Sequence, residues 1–101
     1  MKFVAVTGCP TGIAHTYMAA EQLEKTAREL GHEIQVETQG AMGIENELAA
    51  AAIASADAVI LAADIAIEGA ERFEGKTKIE VPVQTAIKEA GSIFAQAGAV
   101  K

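Results

Sequence analysis

Short apolar runs separated by polar segments predict the strands of this chain. Phe3–Thr7 (FVAVT) and 58–63 (AVILAA) are almost wholly apolar, as in strands buried on both faces of a parallel sheet. Residues 33–38 (EIQVET) alternate polar and apolar side chains, which is typical of a strand nearer an edge. Residues 78–81 (KIEV) form a weaker fourth candidate. The pattern therefore predicts four strands.

Apolar spacings of three and four residues predict the helices. One such stripe begins just after the first strand, and Gly31 follows it as a C-terminal stop. Its members are Ile13, Tyr17, Ala20, Leu23, Ala27 and Leu30. The Ala-rich stretch 45–54 predicts a short helix, and Pro82 suits the first turn of a last helix that runs to about Ala97. Residues 65–75 give no clear assignment.

The order of these elements indicates an α/β fold. Strands that alternate with helices are typical of right-handed β-α-β units and a small parallel sheet. The sequence shows no internal repeat, no low-complexity linker and no sign of a second domain. We therefore expect residues 1–101 to form a single domain.

Composition narrows the function classes. The net charge of −6 disfavours a nucleic-acid surface, because phosphates would not be neutralised in number. One cysteine cannot form an intrachain disulfide, and with two histidines it makes a poor zinc site, so we expect no metal and no cofactor. The apolar run near the N-terminus is too short for a signal peptide or a membrane span. We expect a cytoplasmic protein without membrane insertion.

The segment GCPTGIAHT, residues 8–16, carries the candidate chemistry. It follows the first strand and precedes the first helix, and ligands of open parallel sheets collect at that edge. Glycines there let backbone N–H groups converge, and a helix N-terminus favours negative charge. A thiol in that place, here Cys9, is expected to have a lowered pKa and to act as a nucleophile. The expected phosphate-binding loop comprises Pro10, Thr11, Gly12, Ile13, Ala14, His15 and Thr16.

Three alternatives to a phosphoryl carrier remain open from the residues alone. Cys9 could be a small buried side chain in an ordinary strand–helix turn. It could serve a small phosphatase or an arsenate-reductase-like enzyme, since the phosphatase pattern is Cys, five residues, Arg, then Ser or Thr. Here His15 replaces that arginine and no Asp-Pro pair supplies a leaving-group acid, which favours a carrier. A nucleotide- or flavin-binding module is disfavoured because no G-x-G-x-x-G fingerprint is present.

Other residues have two interpretations each. His15 can bond phosphoryl oxygens or be a solvated loop residue, and Thr11 and Thr16 can bind phosphate or cap the helix. Thr38 and Gln39 end the second predicted strand and Asp64 ends the third, where they can contact a partner or phosphate or simply form turns. Asp64 is not expected to bind phosphate, because its negative charge would repel it. Tyr17 and Met18 are expected to pack in the core or at its rim, with partner docking as the alternative. His32 is expected at the surface.

Three segments resemble one family. VTGCPTGIAHTYMAAEQLEK, VETQG at 36–40 and ADAVILAADIAI at 56–67 are similar to the IIB component of the fructose-type sugar phosphotransferase system. The resemblance implies a three-layer α/β/α sandwich with a four-stranded parallel sheet in the order 2-1-3-4. It also implies that a phosphohistidine on the IIA component phosphorylates Cys9. The phosphocysteine would then pass the group to a sugar, usually fructose, in the membrane IIC component.

Overall fold

The computed structural model describes residues 2–8, 13–40 and 43–99. They form a five-stranded sheet with helices on both faces, which confirms the predicted α/β class. In chain order the elements are β1 (Lys2–Gly8), α1 (Ile13–Glu29), β2 (Glu33–Gly40), β3 (Gly43–Glu45), α2 (Ala50–Ser55), β4 (Ala58–Ala63), a 3₁₀ helix (Ala70–Phe73), β5 (Lys78–Val81), α3 (Val83–Lys88) and α4 (Ala90–Ala99).

The sheet order is β3-β2-β1-β4-β5. β1 lies between β2 and β4, and these strands and β5 all pair in parallel. Because β4 and β5 are the third and fourth predicted strands, the predicted parallel order 2-1-3-4 is confirmed. The predicted count of four strands is wrong, since β3 adds a short antiparallel edge to β2.

Each face of the sheet has its own apolar core. Phe3, Ala5 and Ile60 face α1, α3 and α4, and they pack with Leu23 and Phe94. On the other face, strand residues such as Val4, Val6 and Leu61 pack with Ile53 of α2 and Phe73 of the 3₁₀ helix. The strands β1 and β4 are buried on both faces, as their unbroken apolar runs predict.

The helix α1 ends as its sequence predicts. Gly31 has a φ of 78°, a left-handed conformation that glycine adopts without a Cβ penalty. Its N–H donates to Arg28 O, and the His32 N–H donates to Ala27 O at 2.8 Å. Together these two hydrogen bonds form a Schellman motif, which satisfies carbonyls at the helix end.

Two helix predictions need correction, and one unassigned stretch contains a helix. The predicted helix at 45–54 begins only at Ala50, because Glu45 pairs with Thr38 in the sheet and Asn46 turns the chain with a φ of 55°. The predicted last helix is two helices, interrupted at Glu89, where φ is −136° and ψ is 42°. The unassigned stretch 65–75 contains the 3₁₀ helix.

The buried stripe of α1 is also rotated from its predicted position. Tyr17 and Leu30, expected to be buried, are 39% and 53% exposed, whereas Ala19 is fully buried. The sheet lies against the Ala19, Leu23 and Ala27 line of the helix, so the outer members of the predicted stripe reach solvent.

Candidate functional site

The carboxyl ends of three adjacent strands form one edge of the sheet, here called the rim. Gly8, the last residue of β1, is paired with Gln39 of β2 on one side and with Ala63 of β4 on the other. Helix α1 begins at Ile13, after the connection that leaves β1. Binding sites of open parallel sheets occur at this edge, so the rim is the candidate functional site.

The expected nucleophile and its loop are only partly within the described residues. Cys9, Pro10, Thr11 and Gly12 lie outside them. The remaining members belong to the start of α1: Ile13, Ala14, His15 and Thr16. Ala14 is exposed, His15 is half-buried, and Thr16 is buried.

A hydrogen bond ties the end of β1 to the start of α1. The Thr7 hydroxyl donates to the Thr16 carbonyl oxygen at 3.0 Å, and both residues are buried. A buried hydrogen bond of this kind is costly to leave unmade. This bond therefore joins the end of β1 directly to the first turn of α1.

Gly8 is at a close approach that excludes a side chain. A Cβ at this position would lie 2.8 Å from Gln39 O and 3.0 Å from Ile65 Cδ1. The Gly8 carbonyl oxygen also accepts the Asp64 N–H at 3.1 Å. The residue that precedes Cys9 is thus enclosed by backbone from two other segments of the rim.

Just inside the rim lies a buried ion pair that the sequence analysis missed. Glu37 is completely buried, and the Arg72 guanidinium grips both its carboxylate oxygens at 2.9 and 3.0 Å. Leu48 N–H and Gln39 Nε2 donate to the same carboxylate at 3.0 and 2.7 Å. Burial acts to raise the pKa of Glu37. The hydrogen bonds from Arg72, Leu48 and Gln39 outweigh it, so the pKa lies below its usual value.

The alternation of polar and apolar residues in β2 gives no indication that Glu37 is buried. Residues 33, 35 and 37 do share a face, and Glu33 and Gln35 are exposed on it. Glu37 alone is covered, because the segment around Arg72 crosses that end of the strand. The partners are 35 positions apart in sequence, so no local spacing indicates the pair.

The Gln39 side chain fastens the 65–69 segment to the rim. Its Oε1 accepts the Glu68 N–H and its Nε2 donates to Glu68 O, each at 2.9 Å. The amide therefore pairs with Glu68 as a neighbouring strand would. Arg72 adds hydrogen bonds from Nε to Gly69 O and from Nη2 to Glu68 O.

The other two rim candidates differ in their surroundings. Asp64 is exposed and its Oδ1 accepts the Val83 N–H at 3.3 Å, so its carboxylate satisfies the start of α3. This supports the turn-forming interpretation of Asp64. Thr38 is buried, and its hydroxyl is without a hydrogen-bond partner in the part of the chain that the structure describes.

The exposure of Tyr17, Met18 and His32 differs from the sequence predictions. Tyr17 and Met18 are exposed on α1, and the Tyr17 hydroxyl donates to Glu45. The hydrogen bond to Glu45 raises the pKa of Tyr17 above its ordinary value. His32 is half-buried, with its ring at 5.2 Å from that of Phe3 in an edge-on arrangement. Its predicted surface position is therefore only partly right.

Among residues 2–8, 13–40 and 43–99, none of the helices is both long and apolar enough to cross a membrane. In the same residues no three His, Cys, Asp or Glu side chains lie together as a metal site would require.

The sequence and the fold match known proteins. Residues 4–96 match the family described as "PTS system, Lactose/Cellobiose specific IIB subunit". The chain is 55% identical over 95 residues to a PTS system fructose-like EIIB component 2 of Escherichia coli strain K12, which covers 94% of this chain and 90% of the relative. It is also 52% identical to a PTS system 2-O-alpha-mannosyl-D-glycerate-specific EIIABC component of the same organism. That match covers 97% of this chain but 15% of the relative.

A solved structure agrees with the sequence matches. A domain of the fructose-specific IIABC component of Borrelia burgdorferi superposes with a TM-score of 0.91 at 47% sequence identity. The superposition covers 95% of this chain and 91% of that domain. The chain therefore belongs to the IIB components of the fructose-type sugar phosphotransferase system.

Proposed function

We propose that Cys9 accepts a phosphoryl group from a phosphohistidine on the IIA component and passes it to a sugar bound in the membrane IIC component. Sugar uptake is thereby coupled to phosphorylation. The observation that carries the proposal is the position of the only cysteine of the sequence, which directly follows the central strand β1 and precedes α1. In this proposal residues 1–101 act as one phosphocysteine-carrying domain.

The surroundings of the rim suit a reactive thiol. A helix as long as α1, with 17 residues, has a full dipole whose positive end points toward the connection from β1. That field stabilises a thiolate over a thiol and lowers a cysteine pKa. The free N–H groups of the first helical turn can also hold the oxygens of a phosphoryl group. Residues 10–16 supply this loop in the proposal.

The two transfers balance without a cofactor. In the first, the Cys9 thiolate attacks phosphorus, a P–S bond forms, and the P–N bond to the donor histidine breaks. The donor imidazole is left neutral after it takes up a proton. In the second, a sugar hydroxyl oxygen attacks the same phosphorus, a P–O bond forms, and the P–S bond breaks. The hydroxyl proton leaves to a base or to water, and the thiolate is restored.

His15 is the proposed side-chain helper. It lies half-buried in the first turn of α1, at the position that arginine takes in the Cys-dependent phosphatase pattern. Imidazole can donate one hydrogen bond to a phosphoryl oxygen but cannot provide the two parallel bonds of a guanidinium. Fewer hydrogen bonds to the phosphoryl group suit a group that is transferred to an acceptor.

The proposed location is the cytoplasm, at the inner face of the membrane through the IIC component. The relatives that carry A, B and C components under one name support such a partner. Their names include more than one sugar, and so does the family description. Fructose is the proposed substrate, because the fructose-like EIIB relative aligns over 94% of this chain.

Labelling by a phosphorylated IIA component tests the cysteine directly. The intact protein is mixed with the donor and analysed by mass spectrometry, and we expect one added phosphoryl group on the wild type. Cys9→Ser should gain none, and Cys9→Ala should behave in the same way. Equal labelling of wild type and Cys9→Ser would refute the proposed role of Cys9.

A second assay tests the acceptor. The labelled protein is added to inverted vesicles that contain the IIC component and radioactive fructose. Fructose phosphate should form as label leaves the protein. Loss of label to water at the same rate with and without IIC would instead indicate a hydrolase.

A further inference from the structure

An apolar groove opens at the carboxyl ends of β4 and β5. Its volume is about 350 Å³, and its lining includes Ile65, Ala66, Ile67, Ala70 and Pro82, with Glu80 at its edge. Ala66, Ala70 and Pro82 are exposed, and the two isoleucines are half-buried. Apolar surface in a concave position next to a functional rim is a common feature of partner-binding sites.

The groove exists because the helices on one face of the sheet, α2 and the 3₁₀ helix, do not extend over β5. On β5 the buried Ile79 and the half-buried Val81 pack toward α3 and α4. Lys78 and Glu80 alternate with them and face the side of α2, where both are exposed. Since α2 has only six residues, it and the 3₁₀ helix cover β1 and β4 but leave this end of the sheet open.

The groove adjoins the residue that precedes Cys9. Ile65, one of its walls, would be 3.0 Å from a Cβ on Gly8, and the Asp64 N–H donates to Gly8 O. The segment that carries Ile65 is fixed by the pairing of Gln39 with Glu68. A partner seated in the groove therefore comes next to Gly8, which directly precedes Cys9 in the sequence.

Exposed carboxylates lie on the groove and next to its lining residues in the chain. Glu80 lines the groove, and the exposed Asp64, Glu68 and Glu71 each adjoin a lining residue: Ile65, Ile67 and Ala70. Of the basic residues in the 64–80 stretch, Arg72 is paired with Glu37, and Lys76 donates to Ala54 O and Ala56 O below α2. Lys78 lies at the start of β5, opposite Val59 and away from the rim. The surface around the groove is therefore complementary to a positively charged partner.

We infer that this groove, with its carboxylate edge, docks on the cytoplasmic face of the membrane IIC component; the inference rests on the proposed function. Cytoplasmic loops of membrane proteins carry an excess of Lys and Arg, so such a face offers the complementary charge. An apolar side chain between basic residues would fill the groove. The lipid surface itself is not the partner, because its negative charge repels a chain of net charge −6.

Reversing charges at the edge of the groove tests the docking. The variant Glu68→Lys/Glu80→Lys changes two exposed side chains, and its matched control is Glu24→Lys/Glu29→Lys on the exposed face of α1. Both variants change the net charge equally. Circular dichroism and urea midpoints establish that each is folded.

Binding is measured by co-sedimentation with vesicles of one lipid composition that contain or lack IIC. We expect wild type to bind only vesicles with IIC, and affinity to fall as salt is raised. The groove variant should bind about tenfold more weakly, since opposed like charges are repulsive across an interface. The control variant should change by less than about twofold, as expected of charges outside an interface.

Unchanged affinity of the groove variant, or equal losses in both variants, would overturn the inference. Labelling of Cys9 by phosphorylated IIA is measured in parallel and should be the same in wild type and groove variant. Slower labelling with unchanged vesicle binding would assign the groove to IIA and overturn the inference as stated. Failure of wild type to label would count against the proposed function, whereas vesicle binding reports on the groove alone.

Discussion

Replacing Arg72 with Met should strongly destabilise the protein at neutral pH. The substitution keeps most of the side-chain volume but removes the guanidinium that contacts both oxygens of Glu37 at 2.9 and 3.0 Å. Glu37 is completely buried, so its charge would remain without a compensating partner. Breaking a buried ion pair from one side typically costs about 3–5 kcal/mol. That is a large part of a total stability of about 5–15 kcal/mol.

The pH dependence separates lost charge pairing from lost packing. In the wild type the pKa of Glu37 is lowered, so the pair stabilises the fold above the unfolded pKa of about 4.3. That stabilisation is lost as the pH falls through the lower, folded pKa. In Arg72→Met the main opposing hydrogen bonds are gone and burial raises the pKa of Glu37. The variant should therefore gain stability as the pH falls from neutral, and its deficit relative to wild type should shrink.

Urea unfolding of wild type and Arg72→Met between about pH 7 and about pH 4.5 measures both effects. The neutral double variant Glu37→Gln/Arg72→Met is the control. It retains an amide oxygen for the Leu48 N–H, so its cost should be limited to unsatisfied hydrogen bonds, about 1–3 kcal/mol. A cost below about 1 kcal/mol for Arg72→Met at neutral pH, or a deficit independent of pH, would refute the reasoning.

Three further substitutions test the end of β1 and the end of α1. Gly8→Ala should lower the free energy of unfolding in urea by about 1–3 kcal/mol and slow Cys9 labelling, because its Cβ would overlap the adjacent strand. The control Gly91→Ala should leave the free energy of unfolding unchanged, because no atom lies near its Cβ. Gly31→Ala should lower the free energy of unfolding by about 1–2 kcal/mol, because Gly31 has a left-handed φ of 78°, and it should leave labelling unchanged. A variant as stable as wild type would contradict the assigned helix end. Thr7→Val should lose about 1 kcal/mol with its hydrogen bond to Thr16; unaltered labelling would show that this bond does not position the loop.

The elements that the sequence predicted best are the strands of the parallel sheet. β4 has its predicted bounds and β1 extends its prediction by one residue at each end, because strands buried on both faces have unbroken apolar runs. β5 also has its predicted bounds, although Ile79 alone of its four residues is buried. β3 could not be predicted in this way. Its three residues, Gly43–Glu45, are exposed, and they form a strand only because β2 offers an unpaired edge.

The sequence also predicted only part of the candidate site. Position in the chain was enough to place Gln39 and the start of α1 at one rim with Gly8. It could not show what Gln39 holds there, because the partner, Glu68, is 29 residues away in a stretch without periodicity. Buried polar networks are specified by tertiary contacts, and only the folded chain brings their members together.

The Glu37–Arg72 pair also bears on why the rim would suit phosphoryl transfer rather than hydrolysis. A guanidinium from elsewhere in the chain could in principle replace the arginine missing at His15. Arg72 cannot do so, because its described hydrogen bonds to Glu37, Glu68 and Gly69 use four donor contacts of a group with five N–H donors. Freeing the guanidinium would leave Glu37 charged and buried, at a cost of about 3–5 kcal/mol. In the proposed mechanism the phosphoryl charge is therefore held by backbone N–H groups and the α1 dipole, with His15 as an aid. Such a site stabilises the group on sulfur without a fixed fork of hydrogen bonds, which leaves its oxygens open to the donor and acceptor proteins.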